Sequence, residues 1–182
     1  MKKVYLDNNA TTRMREEVLE AMMPYMTNVY GNASSVHAFG REARLAVDGA
    51  RQKVADFLGA SSKEEVVFTS GGTESDNLAI KGALRALKAK SGHIITSDVE
   101  HHAVLNVFKF LEREGFEVTY LGVDKDGAVR PDDLKTVMRK ETIFVSLMWA
   151  NNETGAISRI SELSKIAKSG GAIFHTDAVQ AA

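Results

Sequence analysis

His93-Ile94-Ile95-Thr96-Ser97-Asp98-Val99-Glu100-His101-His102-Ala103-Val104-Leu105-Asn106-Val107-Phe108 changes its period halfway along. His93–Ser97 is short, β-branched and bounded by polar residues, the signature of a strand. From Val104 the apolar residues return at 104, 107, 108 and 111, which is helical spacing. Strand, polar turn and amphipathic helix therefore follow one another within one short stretch.

The same alternation runs through most of the chain. Strands are expected at Val66–Ser70, His93–Ser97, Glu117–Val123, Thr142–Trp149 and Ala172–Ala178. Several of these runs are almost continuously apolar, which suggests burial on both faces, as in a parallel sheet. Helical stripes are expected at Val18, Met22, Met23 and Met26, and at Ala43, Val47, Ala50, Val54 and Phe57. Others fall at Ile80, Ala83, Leu84 and Leu87, at Val104, Val107, Phe108 and Leu111, and at Ile160, Leu163 and Ala167. Core packing is the expected role of each stripe. The order from residue 66 onward predicts an α/β fold, a mostly parallel sheet sandwiched by helices. Ligands of such sheets bind outside the carboxyl ends of the strands, so function is sought in the loops that follow them.

Bulk properties exclude several classes. The 182 residues suffice for one ordinary domain. A formal net charge of −1 gives no reason to expect a nucleic-acid partner. No run approaches the ~20 apolar residues of a membrane span, and the acidic, polar start does not read as a signal peptide. A cytoplasmic location is the expectation. The absence of cysteine removes disulfides, thiolate metal sites and thiol nucleophiles. The sequence stops at Gln180-Ala181-Ala182 just after an apolar run, without a charged tail, which reads as a truncation.

Four loops carry candidate chemistry. Thr69-Ser70-Gly71-Gly72-Thr73-Glu74-Ser75-Asp76-Asn77 combines a double-glycine turn with a helix start at Thr73 and Asp76 in a capping-box-like position. Free N–H groups and hydroxyls there suit a phosphate, although a plain capped helix reads the same way. Asp98-Val99-Glu100-His101-His102 puts His101 in the same crevice, to stack on a planar ligand or relay a proton, or else as a surface histidine opening a helix. No ligand spacing supports a metal site. Ala150-Asn151-Asn152-Glu153-Thr154-Gly155 offers amides for a carboxylate or ring hydroxyl, or a polar turn with Gly155 left-handed. His175-Thr176-Asp177-Ala178-Val179-Gln180 embeds an aspartate in an apolar run, asking either for a cationic ring nitrogen or for a buried salt bridge. Taken together, these loops suit a small, flat, phosphorylated, cationic heterocycle, and pyridoxal phosphate fits better than a nucleotide.

With these loops in view, the chain resembles the cysteine desulfurases of the NifS/IscS type, in the class V aminotransferase group of fold-type I pyridoxal-phosphate enzymes. The resemblance rests on Tyr5–Thr12, Tyr30–His37, Phe68–Lys81, Glu100-His101, Asn151–Glu153 and His175–Gln180. It implies that residues 1–15 associate with a small domain, with Asn8–Thr12 folding over the site, and that 16–182 are the front part of the large cofactor domain. It further implies that Gly72 and Thr73 hold the cofactor phosphate, His101 stacks on the ring and moves protons, and Asp177 pairs with the ring nitrogen. Gln180 would bond the ring hydroxyl, and Asn152 would orient the substrate carboxylate.

The substrate implied is L-cysteine, converted to alanine with the sulfur held as an enzyme persulfide for an iron–sulfur scaffold or another acceptor protein. Family members are homodimers, and the Asn32–His37 segment would face the partner subunit. The family's Schiff-base lysine, in a Ser-x-His-Lys run, its persulfide cysteine and a substrate-gripping arginine are not found here, so the lone chain is expected not to desulfurate cysteine. Selenocysteine lyase, another class V member and a non-catalytic half of a split protein are the alternatives.

Overall fold

The computed structural model describes residues 3–182, so the first two residues of the expected 1–15 segment lie outside it. Contacts divide the chain into two compact units, one ending at Phe68 and the other Thr69–Ala182.

The first unit is helical. It contains α1 (Glu16–Thr27), α2 (Ala38–Leu58) and a single 3₁₀ turn, Lys63–Glu65. The Asn32–His37 turn packs tightly onto α2 at Gly40, where a Cβ would collide with the Ser35 carbonyl. α2 stops at Gly59, whose left-handed backbone (φ 69) lets its N–H reach back to the last turn.

Two of the expected core stripes fail in this unit. α1 buries none of its residues, and α2 buries only Gly40, Ala43 and Ala55. Met23, Met26, Val47 and Phe57 are exposed. An apolar stripe becomes core only when a second layer covers it, and this unit supplies too few elements to do so.

The Val66–Ser70 strand also fails to form. A strand needs a neighbour for its N–H and C=O groups, and among the described residues no strand pairs with this run. Instead Val66 N–H returns to Lys63 O, Val66 O accepts from Arg51 Nε (3.2 Å), and Val67 and Phe68 are exposed.

The second unit contains α3 (Gly72–Ala86), β1 (His93–Ser97), α4 (His102–Arg113), β2 (Glu117–Leu121), α5 (Pro131–Val137), β3 (Thr142–Ser146), α6 (Ile160–Ser169) and β4 (Ile173–His175). All pairings are parallel, in the order β2-β1-β3-β4. Three strands are shorter than the apolar runs suggested. The β3–β4 ladder nevertheless continues as single bonds, Leu147 N–H to His175 O (3.1 Å) and Trp149 N–H to Asp177 O (2.9 Å).

Alternation of side chains across the sheet sends Ile94 and Phe144 to one face and Ile95 and Val145 to the other. The first pair packs with Ile80, Leu84, Val104 and Phe108 of α3 and α4. The second packs with Leu134 of α5 and Leu163 and Ala167 of α6. The sheet is thus covered on both faces, as expected, although Leu87 of the α3 stripe is exposed.

At the amino ends of the strands, buried His93 bonds Thr142 Oγ1 and Thr119 Oγ1, each at 2.8 Å, and so joins three strands. Burial, with a contribution from Arg139, holds its pKa below the usual range, favouring the neutral ring.

The chain leaves β1 for β2 on one side and returns to place β3 on the other. Order reverses between β1 and β3, so the carboxyl ends of those two strands form the switch point where α/β sheets bind ligands.

Phe108 is fully buried between α4 and the sheet, whereas Leu78 of α3 is half exposed. Phe108→Ala is expected to cost about 3–5 kcal/mol and Leu78→Ala less than about 0.5 kcal/mol. Urea unfolding followed by the fluorescence of Trp149, the single tryptophan, measures both.

Candidate functional site

The four candidate loops all belong to the second unit; three of them follow β1, β3 and β4 at the carboxyl edge of its sheet, and the fourth opens α3 and meets that edge at Val179. α3 begins one residue earlier than expected, at Gly72, with Gly71 as its cap and no side-chain cap bond. Thr73 is therefore inside the first turn and exposed. The capping-box reading of Asp76 is incorrect. Glu74 closes the turn instead, its Oε2 accepting from Ser70 N–H (2.7 Å) and Ser70 Oγ–H (2.6 Å). Gly72 makes a close approach, since a Cβ there would lie 3.1 Å from Val179 Cγ2 and the valine would have to give by a few tenths of an ångström. The expected phosphate turn and the turn after Asp177 are thus in contact.

Asp76 has a different place. It lies four residues before Ile80 and eight before Leu84, on the buried stripe of α3, and is 5% exposed. His175 Nε2 lies 3.6 Å from Asp76 Oδ1, while His175 Nδ1 bonds Ser146 Oγ at 2.8 Å. Burial, and then the charge of Asp177, push the Asp76 pKa up to about 6. Burial lowers that of His175. Both shifts run against the charged forms, so the contact is weaker than a full ion pair.

His101 caps α4. Its Nδ1 accepts from Ala103 N–H (3.1 Å), which leaves the ring proton of the neutral form on Nε2. The ring is exposed, and it shares a cavity of about 440 Å³ with Thr73, Asn77, Lys81, Asn106 and Phe110. Thr73 and His101, expected to serve one ligand, are therefore brought together. Asn152, Asp177 and Gln180 do not line that cavity. Asn152 is half-buried and donates to Glu153 Oε1 (3.3 Å), and Gln180 is exposed. Gly155 is left-handed (φ 74), as the turn reading required.

Asp177 is half-buried and lies just past β4, which ends at His175. Its Oδ1 accepts from Val179 N–H (3.0 Å). Among the described residues it has no ion-pair partner, so the buried salt-bridge reading is not met. It faces acids instead. Asp177 raises the pKa of both Asp76 and Glu100.

Glu100 is the site residue that sequence reasoning passed over as a motif letter. It is 5% exposed; its Oε1 accepts from Ser97 Oγ–H and Met148 N–H, and Oε2 has no partner among the described residues. Burial pushes its pKa up to about 7. Three carboxyl groups thus influence one another at one sheet edge, and among the described residues none of them has a Lys or Arg partner. Among the described residues no group of His, Asp or Glu side chains is placed to hold a metal ion.

Comparison with known proteins gives the family. The family model "Aminotransferase class-V" matches residues 4–182. The chain belongs to the class-V aminotransferase family. Enzymes of this family are pyridoxal-phosphate dependent. The chain is 59% identical over 179 residues to the cysteine desulfurase IscS of Dictyoglomus turgidum, covering 98% of this chain and 45% of that protein. It is 56% identical to the IscS of Methanosarcina thermophila, covering 99% and 44%. A solved NifS-like protein superposes with a TM-score of 0.93 at 41% identity, covering 98% of this chain and 50% of that one. The class-V chain therefore spans less than half the length of the curated relatives it matches.

A carboxyl whose folded pKa is raised stabilises the fold while protonated, and that contribution is lost as pH rises through the folded value. Between pH 5.5 and 8, Glu100 should cost the fold about 2 kcal/mol. Glu100→Gln is expected to remove that loss, so its stability relative to wild type grows by about this amount over the interval. Urea midpoints at the two pH values test it, and a pH-independent difference would refute the assignment.

Proposed function

We propose that this chain is the front part of the large domain of a cysteine desulfurase and that it binds pyridoxal phosphate at the carboxyl edge of its sheet. The observation that carries the reading is the gathering of Asp76, Glu100 and Asp177, none with a Lys or Arg partner among the described residues, next to the Gly72 turn and His101. A pyridinium nitrogen would supply the missing positive charge and lower the cost of ionising these carboxyls.

In this reading, Gly72 and Thr73 hold the phosphate with the first N–H groups of α3, where the helix dipole favours an anion. Asp177, fixed by Trp149 N–H and Val179 N–H, pairs with the ring nitrogen. Gln180 bonds the ring hydroxyl. His101 stacks on the ring, and because Nδ1 is engaged by Ala103, Nε2 is the atom that gives or takes a proton. Asn152 orients the substrate carboxylate. When bound, the cofactor supplies an electron sink at the substrate's α-carbon.

The proposed substrate is L-cysteine, with alanine and a protein-bound persulfide as products and an iron–sulfur scaffold or other sulfur-acceptor protein as partner. The sulfur-accepting thiol of that reaction is not among these 182 residues. We place residues 1–15 with the small domain of the full-length protein, which we read as a cytoplasmic homodimer. Among the described residues no helix is long and apolar enough to cross a membrane.

Titration of the chain with pyridoxal phosphate is expected to quench Trp149 fluorescence saturably, since Trp149 N–H is bonded to Asp177 O. Asp177→Ala should weaken binding by about tenfold or more, the worth of a charged hydrogen bond. Absence of saturable quenching in the millimolar range, or an unchanged affinity in Asp177→Ala, would refute the reading.

A further inference from the structure

The turns that carry His101 and Asn152 come from different strands, and two side chains with no assigned role tie them together. Glu100 Oε1 accepts from Ser97 Oγ–H at 2.6 Å and from Met148 N–H at 2.9 Å. One carboxyl oxygen therefore joins the end of β1 to the segment that follows β3. Asn151 completes the connection from the other side. Its Nδ2 donates to Val99 O at 3.0 Å, and its Oδ1 accepts from Glu153 N–H and Thr154 N–H, each at 2.9 Å. Both side chains are buried, so water competes poorly for these bonds.

The two braces span 48 and 52 residues of sequence. Each stands immediately before a residue of the proposed site: Glu100 before His101, and Asn151 before Asn152. Glu100 is also a costly choice for a purely structural brace. Its second oxygen is buried without a partner among the described residues, and burying an unsatisfied polar group destabilises a fold. Residues kept against stability in this way gather at functional sites.

We propose that Glu100 and Asn151 are positioning residues, which hold His101 and Asn152 in fixed relation across the β1–β3 switch point. The role rests on the cofactor-site reading for its purpose, but the brace itself concerns only this chain and can be tested without cofactor.

The test uses the full 182-residue chain, free of pyridoxal phosphate, with ¹⁵N-labelled backbone and histidine. The five histidines are assigned by single His→Gln variants. Glu100→Ala is expected to shift the ring resonances of His101 and to speed amide exchange at Ala103, which bonds His101 Nδ1, by about tenfold. His93, at the opposite end of the strands, should not move. Asn151→Ala should reproduce this pattern. Glu100→Gln should restore the wild-type signals, because its amide oxygen can accept the same two bonds.

Unchanged His101 and Ala103 signals in Glu100→Ala would overturn the proposal. So would equal disturbance of His93, which marks general loosening, or failure of Glu100→Gln to restore the pattern. Should Glu100→Ala not fold, Asn151→Ala carries the test by the same criteria. Because no cofactor is present, failure here leaves the binding reading standing, and failure of the cofactor titration leaves this result standing.

Discussion

Every residue of β1 is shielded from water, and the arrangement of the second unit depends on that condition. A strand buried on both faces needs helices on both sides and strands on both edges. α3 and α4 cover one face, α5 and α6 the other, with β2 and β3 alongside. Polar groups at the two ends of such a strand must then be bonded within the protein. At the amino end His93 does so through Thr119 and Thr142. At the carboxyl end Ser97 does so through Glu100. The first arrangement holds the sheet together, whereas the second brings a carboxyl group to the edge where ligands of such sheets bind.

That edge is electrostatically strained in a specific way. Asp76, Glu100 and Asp177 approach one another from α3, the turn after β1 and the turn after β4, in surroundings that penalise their charged forms. His175, the nearest base, is itself held neutral by burial and so does not compensate them. Local stability would favour fewer acids here. A cationic ligand reverses the balance, because its charge favours the ionised carboxyls that burial disfavours. This logic does not depend on any single motif, and it agrees with membership of a pyridoxal-phosphate-dependent family.

The first unit shows the opposite behaviour. Its stripes are as periodic as those of the second, yet Met23, Met26, Val47 and Phe57 stay exposed. Two helices and a 3₁₀ turn do not make a second layer, so amphipathicity there is unmet demand for burial rather than evidence of a core. The Val66–Phe68 run is a parallel case, with strand-like composition but no described strand to pair with.

The sequence by itself determined the alternation of strand and helix from His93 onward, the burial of the sheet on both faces and the family. These follow from short-range periodicity and contiguous motifs, which need no knowledge of distant contacts. Thr73 and His101 were expected together, but for a reason that failed: no strand forms at Val66–Ser70, and the packing of α3 beside α4 brings the two residues to one cavity. Tertiary structure alone decided which stripes became core, since burial depends on what covers a stripe and not on its spacing. It alone turned Asp76 from a cap into a buried acid: the start at Gly72 took it out of the capping position, and packing buried the face it shares with Ile80. It alone revealed the Glu100–Met148 and Val99–Asn151 bonds, which join residues some fifty positions apart. A pattern read along the chain carries no record of such pairings; they exist only once β1 and β3 lie side by side.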